Sequence, residues 1–262
     1  MKNRPIHLFV LGLLLPMTNM VSCKSAPKPT QEEKTIATTP AAELTAASPK
    51  TTGKASLIGI VSFTGTPPNE SKNPAASFPE CTKGEAGNRH KAYWVKDGKL
   101  GNVFVYLKEG IAGNYPVPQE PAVLDQKLCA YLPRVFGIQV NQPLDILNSD
   151  PSLHNVHSLS KNSPQFNSAM PLQGMKITRK FSAPEVMATM KCDVHPWMRA
   201  YVGVLSHPFF SVTQENGSFQ IQNVPPGDYV VEAWHEKLGT QTAKVTLSAS
   251  EKKEISFTFT QK

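Results

Sequence analysis

Apolar residues in this chain recur in short runs at two-residue spacing, and the runs are broken by turns rich in Pro, Gly and Asn. That period belongs to half-buried strands rather than helices, and no segment sustains a helical period. Residues 56–63 (SLIGIVSF) and 102–110 (NVFVYLKEG) predict two early strands, with a long aperiodic loop at 72–91 between them. The prolines of YPVPQEP place a boundary near Pro121. Beyond it the runs tighten: GIQV and PLDILNS are split by NQ, then come LHNVHSLS, MKITRKFS and RAYVGVLS. In MKITRKFS, Ile177 and Phe181 keep the two-residue spacing, with Arg179 between them. About six strands in this stretch predict a small Greek-key sandwich. After Ser206 the pattern reads strand, turn at ENG, strand, turn at PPG, strand, and TQTAKVTL and EISFTFT close the chain. The fold class expected is all-β.

The N-terminal residues change the picture of where the chain works. Lys2 and Arg4 precede the short apolar run LFVLGLLLP, which has the flanks of a secretory signal and is too short to span a bilayer. MVSC, ending at Cys23, resembles the lipobox of bacterial lipoproteins, with Met20 where that family usually has Leu. The resemblance implies that Cys23 becomes the lipidated first residue, anchored to a membrane and facing the periplasm. Lys24 rather than Asp after it implies the outer membrane of a Gram-negative cell. The plainer alternative is an ordinary signal peptide with a free Cys. Residues 23–55 are dominated by Ala, Thr, Pro, Ser and Lys without apolar period, the composition of a disordered tether. The expected organisation is a leader at 1–22, a tether at 23–55, a β segment at 56–120, a central sandwich at 121–206 and a closing β domain at 207–262.

The densest chemistry lies in CDVHPWM. Cys192, His195 and Met198 fall within seven residues between two strands. Thiolate, imidazole and thioether together are a soft donor set that suits copper, and Met is a poor zinc ligand. A blue-copper site takes one Cys and two His with a weak axial Met, so one imidazole is missing. NSDPSLHNVH offers His154 and His157. HNVH followed later by CDVHPWM resembles the signature of plastocyanin-like cupredoxins, and the short C-x-x-H-x-x-M loop is closest to amicyanin. The resemblance covers about residues 123–206. It implies copper, one ion per chain, held by His154, Cys192, His195 and Met198, with His157 on a non-ligand position. It further implies that the backbone amide of Asn155 donates to the thiolate. Amicyanin-like loops often carry Pro before the second His. Val194 stands there instead and keeps an N–H that could face the sulfur, which predicts a raised reduction potential. Pro196 and Trp197 flank an imidazole expected to face solvent, and Trp197 is either a docking residue for a redox partner or a core side chain. Buried thiol, core Met and satisfied His are the bland alternative for the whole set.

If Cys23 is lipidated and Cys192 binds metal, Cys81 and Cys129 remain, either as a disulfide, which an exported chain favours, or as two buried thiols. Met170, Met175, Met187 and Met190 share no face and read as core packing. His90, His207 and His235 lack partners at ligand spacing and read as structural.

GSFQIQNVPPGDYVVEAWHE resembles the carboxypeptidase regulatory-like domain, a transthyretin-like sandwich, through Gly217, Phe219, the VPPG turn and Tyr229. GIVSF and VFVYL resemble its usual opening strands. The central sandwich would then be inserted in this domain rather than placed before it, and Leu57 to Leu107 would pack against Phe219 to Trp234. The formal charge of +7 is scattered, which argues against nucleic acid as partner. Three functions are expected: a one-electron carrier with a redox partner protein, a copper chaperone or buffer, and a structural or adhesive lipoprotein. No further His cluster, second Cys beside Cys192 or G-x-S-x-G is present, so an enzyme is not expected.

Overall fold

The computed structural model describes residues 53–68, 78–81 and 91–261. The leader, Cys23, nearly all of the tether and His90 lie outside the described residues. Regular structure among the described residues is β throughout, apart from one 3-10 turn at Pro79–Cys81.

Strand β1 (Ala55–Thr64) alternates as its sequence does: Ala55, Leu57, Gly59, Val61 and Phe63 are buried, and Ser56, Ile58, Ile60 and Ser62 are partly exposed. β2 (Val95–Lys96) and β3 (Lys99–Leu100) form a hairpin around Asp97 and Gly98, at φ 49° and 69°. Both turn residues need positive φ, and Asp-Gly tolerates it at little cost, so the turn twists with the strands. β4 (Phe104–Glu109) buries Phe104, Val105, Tyr106 and Leu107 in succession, because it is covered on both faces.

The chain then builds a second sandwich. Its strands are β5 (Ala122–Lys127), β6 (Ala130–Leu132), β7 (Val135–Gln139), β8 (Leu144–Asn148), β9 (His154–Ser158), β10 (Phe166–Met170), β11 (Lys176–Arg179), β12 (Glu185–Lys191) and β13 (Arg199–Leu205). One sheet has the order β11-β8-β5-β6 and the other β10-β9-β12-β13-β7. The pairs β5/β8 and β7/β13 are parallel. Leu124, Ile138, Ile146, Val156, Met190 and Val202 fill the space between the sheets. Nine strands stand where about six were expected. β5, β6 and β10 are short and interrupted by polar residues such as Asp125, Asn167 and Ser168, so their period is weak in sequence.

β14 (Phe210–Val212), β15 (Ser218–Val224), β16 (Gly227–His235), β17 (Gly239–Leu247) and β18 (Lys252–Thr260) return to the first sandwich. β1 pairs antiparallel with β15 and, along its length, parallel with β18. β4 lies between β14 and β16, and β17 completes that sheet. Leu57, Leu107, Phe219, Val231 and Phe257 share one core. Strands from both ends of the described chain therefore make one sandwich, and β5–β13 are inserted between β4 and β14.

The two sandwiches are fitted to each other. Phe104 and Phe210 lie over Gly203 and Gly137, where a Cβ would stand 2.4 Å from a ring carbon in each case. Only glycine permits that approach. Beside the rings, Arg134 of the inserted sandwich pairs with Glu236, its Nη2 2.9 Å from Oε2, and the Tyr201 hydroxyl donates to the same oxygen at 3.1 Å.

Candidate metal centre

Alternation along β9 points His154, Val156 and Ser158 into the inserted core, all fully buried, and turns His157 outward. β9 lies between β10 and β12, so its backbone is fixed on both sides. The loop from β12 to β13 is closed by two backbone bonds. Cys192 N–H donates to the Met198 carbonyl at 3.1 Å, and Met198 N–H donates to the His195 carbonyl at 2.9 Å. A loop held across its base presents its side chains with little freedom.

His154, Cys192 and His195 converge. One ligand atom from each lies within 4.8 Å of the others, and all three residues are buried. Nδ1 of His154 is 2.9 Å from Nδ1 of His195, and Cys192 Sγ is 3.8 Å from His195 Nδ1. Met198 is buried in the same core. Sulfur and nitrogen donors turned toward one another, out of water, fit a soft or borderline metal ion such as copper.

The surroundings hold these donors in place. Asp150 Oδ2 lies 2.9 Å from His154 Nε2. With Nε2–H donating to the carboxylate, the opposite nitrogen is the one that faces the other donors. Burial pulls the His154 pKa down, but Asp150 and Cys192 outweigh it and raise the pKa to about 9. Asp150 also accepts the backbone N–H groups of Leu128 and Cys129, at 2.7 and 2.9 Å. Burial pushes its own pKa up, and these three partners bring it below the ordinary carboxylate range.

Cys192 is similarly balanced. Burial disfavours the thiolate, yet His154 and the backbone amides of Asn155, His195 and Val194 favour it more, so the pKa is lowered. The Asn155 side chain adds a brace: its Oδ1 accepts from Asp193 N–H at 2.7 Å and lies 3.3 Å from Cys192 Sγ. Its Nδ2 donates to Asp193 Oδ2 at 2.9 Å. Tyr131, buried, donates its hydroxyl to the Asn155 carbonyl at 2.6 Å. Asp193 is held well below the usual range, chiefly by Lys191.

The imidazole expected to face solvent does not. His195 is 2 % exposed. Phe78 stands edge-on to it with ring centroids 5.3 Å apart, and Trp197 lies 5.1 Å from it. Cys81 and Cys129 are joined by a disulfide, Cα to Cα 5.2 Å, and their sulfurs fall within 4.8 Å of a His195 ring nitrogen. Trp197 is partly buried and donates its indole N–H to the Cys129 carbonyl at 3.0 Å. The aperiodic stretch holding Phe78 and Cys81 thus contributes a cover that the loop sequence itself does not reveal. Asp193, Val194 and Pro196 are exposed on the same loop.

Other candidates separate from the site. His157 Nδ1 lies 3.1 Å from Asp193 Oδ2 and does not join the donor group. Met170 accepts from Gln126 Nε2 at 3.0 Å, Met190 is core, Met175 packs at its edge, and Met187 belongs to the contact between sandwiches. His207 stacks on Phe209, and His235 donates to the Ala92 carbonyl at 2.9 Å. Asp150, Tyr131, Phe78 and Asp193 were missed in the sequence. Asp150, four residues before His154, carried a local signal, since a carboxylate near a ligand imidazole is a common orienting partner.

Residues 210–259 match the family model of the second β-sandwich domain of BOS complex subunit NOMO1-like proteins. No curated protein matches the chain. Among solved structures, the purple cupredoxin from Nitrosopumilus maritimus is 26 % identical over 32 % of this chain and 98 % of its own, with a TM-score of 0.27. An oxidised amicyanin variant is 21 % identical over 34 % of this chain and 85 % of its own, TM-score 0.30. The copper-containing nitrite reductase from Thermus scotoductus SA-01 is 18 % identical over 39 % of this chain, TM-score 0.31. This chain spans only 25 % of that reductase's length.

Proposed function

We propose that this protein is an exported one-electron carrier with a type 1 copper site, and not an enzyme. His154, Cys192 and His195, with Met198 buried in the same core, would hold the ion. The observation that carries this reading is the meeting of three buried donors, one thiol and two imidazoles, from two elements of one sandwich. Copper bound there would supply reversible exchange of a single electron. The chain's own residues prepare the site for it. Asp150 orients His154, the backbone amides around Cys192 favour its thiolate, and Asn155, Tyr131 and Asp193 brace the loop against β9. A braced, buried site resists change of geometry between oxidation states, which favours fast transfer. The burial of His195 moves the expected docking surface for a redox partner off the imidazole edge. Val194 and Pro196, exposed on the same loop, are the nearest candidates.

The resemblance of MVSC, ending at Cys23, to a lipobox supports a lipid anchor at the periplasmic side of a membrane, the outer membrane in a Gram-negative cell. A partner protein and not nucleic acid then completes the pathway.

The test is the visible and EPR spectrum of the protein carrying Cys23→Ser after Cu(II) addition, beside the same protein with Cys192→Ser. An intense blue thiolate band that a reductant bleaches reversibly, and that the second variant lacks, is expected. A colourless protein that still binds Cu(I) tightly would replace electron transfer with copper handling. No copper binding would leave a structural β-sandwich.

A further inference from the structure

His195 belongs to two donor groups at once. On one side are His154 and Cys192. On the other are Cys81 and Cys129, whose sulfurs lie within 4.8 Å of each other and of a His195 ring nitrogen. All of these residues are buried, and Phe78 and Trp197 close over the imidazole. While the disulfide is intact its sulfurs carry no charge and are poor ligands, since it is the thiolate that binds metal. Broken, the pair supplies two thiolates beside an imidazole. That three-donor set is soft and suits Cu(I), whereas structural zinc sites take four ligands.

We infer that Cys81, Cys129 and His195 form a second, redox-controlled metal site that takes Cu(I) when the disulfide is reduced. The electron balance is simple. A small or protein dithiol gives two electrons and two protons, closes its own S–S bond, and leaves Cys81 and Cys129 as thiols. Those thiols release their protons to water as Cu(I) binds. Because His195 is common to both groups, the reduced pair would compete with Cys192 and His154 for that imidazole. The disulfide then decides whether His195 serves the electron-transfer site or a soft-cation trap. The inference does not need copper to occupy the Cys192 site.

The experiment uses the full chain with Cys23→Ser and Cys192→Ser, so that Cys81 and Cys129 are its remaining cysteines. The protein is reduced with dithiothreitol, desalted without oxygen, and titrated with Cu(I) against a chromophoric chelator. One equivalent should bind more than about tenfold tighter than to the disulfide form. The gain should vanish on reoxidation and in the variant that adds Cys81→Ser and Cys129→Ser. X-ray absorption of the copper adduct should show two sulfur neighbours. Equal affinity in the two redox states, a gain that survives the serine substitutions, or retention of zinc but not Cu(I) would overturn the inference. So would loss of the native near-ultraviolet circular dichroism on reduction. The blue band of the disulfide form with Cys192 present is read separately, so failure of either reading leaves the other measurable.

Discussion

Asp150 and His154 are joined through Oδ2 and Nε2 at 2.9 Å, and the same carboxylate accepts the backbone N–H of Cys129. One side chain therefore orients the first imidazole and anchors the turn that carries the disulfide. Its replacement should affect metal binding before it affects the fold. In Asp150→Asn the charge is lost but one acceptor remains. Copper affinity should fall by about 10- to 100-fold, the usual cost of losing the partner of a ligand imidazole. A competition titration measures this. Unchanged affinity would show that His154 is oriented without Asp150.

Val194 raises a separate expectation, because its backbone amide is one of the groups that favour the Cys192 thiolate. A donor to the sulfur withdraws charge from a bound ion and stabilises the reduced state. Val194→Pro removes that N–H at an exposed position, where the side chain itself packs little. The reduction potential should drop, as read by redox titration of the blue band. An unchanged or higher potential would count against the role assigned to this amide.

The contact between sandwiches makes a stability prediction. Glu236 is 2 % exposed at its side chain and its pKa lies below the ordinary range: burial pushes it up, and Arg134 and Tyr201 pull it down further. Arg134→Met leaves that carboxylate buried without its cation and should cost about 3–5 kcal/mol in urea unfolding. Adding Glu236→Leu should recover most of the loss, because apolar pairs often replace buried ion pairs at little cost. No recovery in the double variant would mean that the loss comes from packing of the arginine stem.

How far these features could be read in the sequence depended on how local they are. Cys192, His195 and Met198 sit on one seven-residue loop, so their meeting needs no knowledge of the fold. The alternation of Leu57, Val61 and Phe63 in β1, and the ENG and PPG turns, likewise declare strands by themselves. β6 and β10 did not, because three to five residues with Tyr131, Asn167 or Ser168 among them show no period. The cover over His195 was hidden for another reason. Phe78 and Cys81 lie more than a hundred residues before it, in a stretch with neither alternation nor helical spacing. Nothing local ties a lone Phe to an imidazole that the folded chain later brings beneath it. The expectation of a solvent-facing imidazole flanked by Pro196 and Trp197 took no account of this distant cover.

His235 supplies the pH dependence. It is buried at the end of β16, where Nε2–H donates to the Ala92 carbonyl at 2.9 Å and Nδ1 accepts from Lys237 N–H at 3.3 Å. Both nitrogens are satisfied in the neutral form, and a second proton would set Nδ1–H against the Lys237 N–H. Burial lowers the pKa from 6.5 to about 4, with Arg134 and Lys237 adding to it. The unfolded chain therefore takes up a proton more readily than the native one. Stability from this residue is complete above pH 6.5 and is lost as the pH falls toward 4. The shift corresponds to about 3 kcal/mol over that window. His235→Gln keeps an N–H for Ala92 but cannot titrate. Its unfolding free energy, compared with that of the parent protein between pH 7 and pH 4, should fall less steeply by about that amount. Carboxylates that titrate in both proteins cancel in the difference. Parallel curves would mean that the native fold admits the protonated imidazole, and the buried neutral form would no longer account for the acid limit of this sandwich.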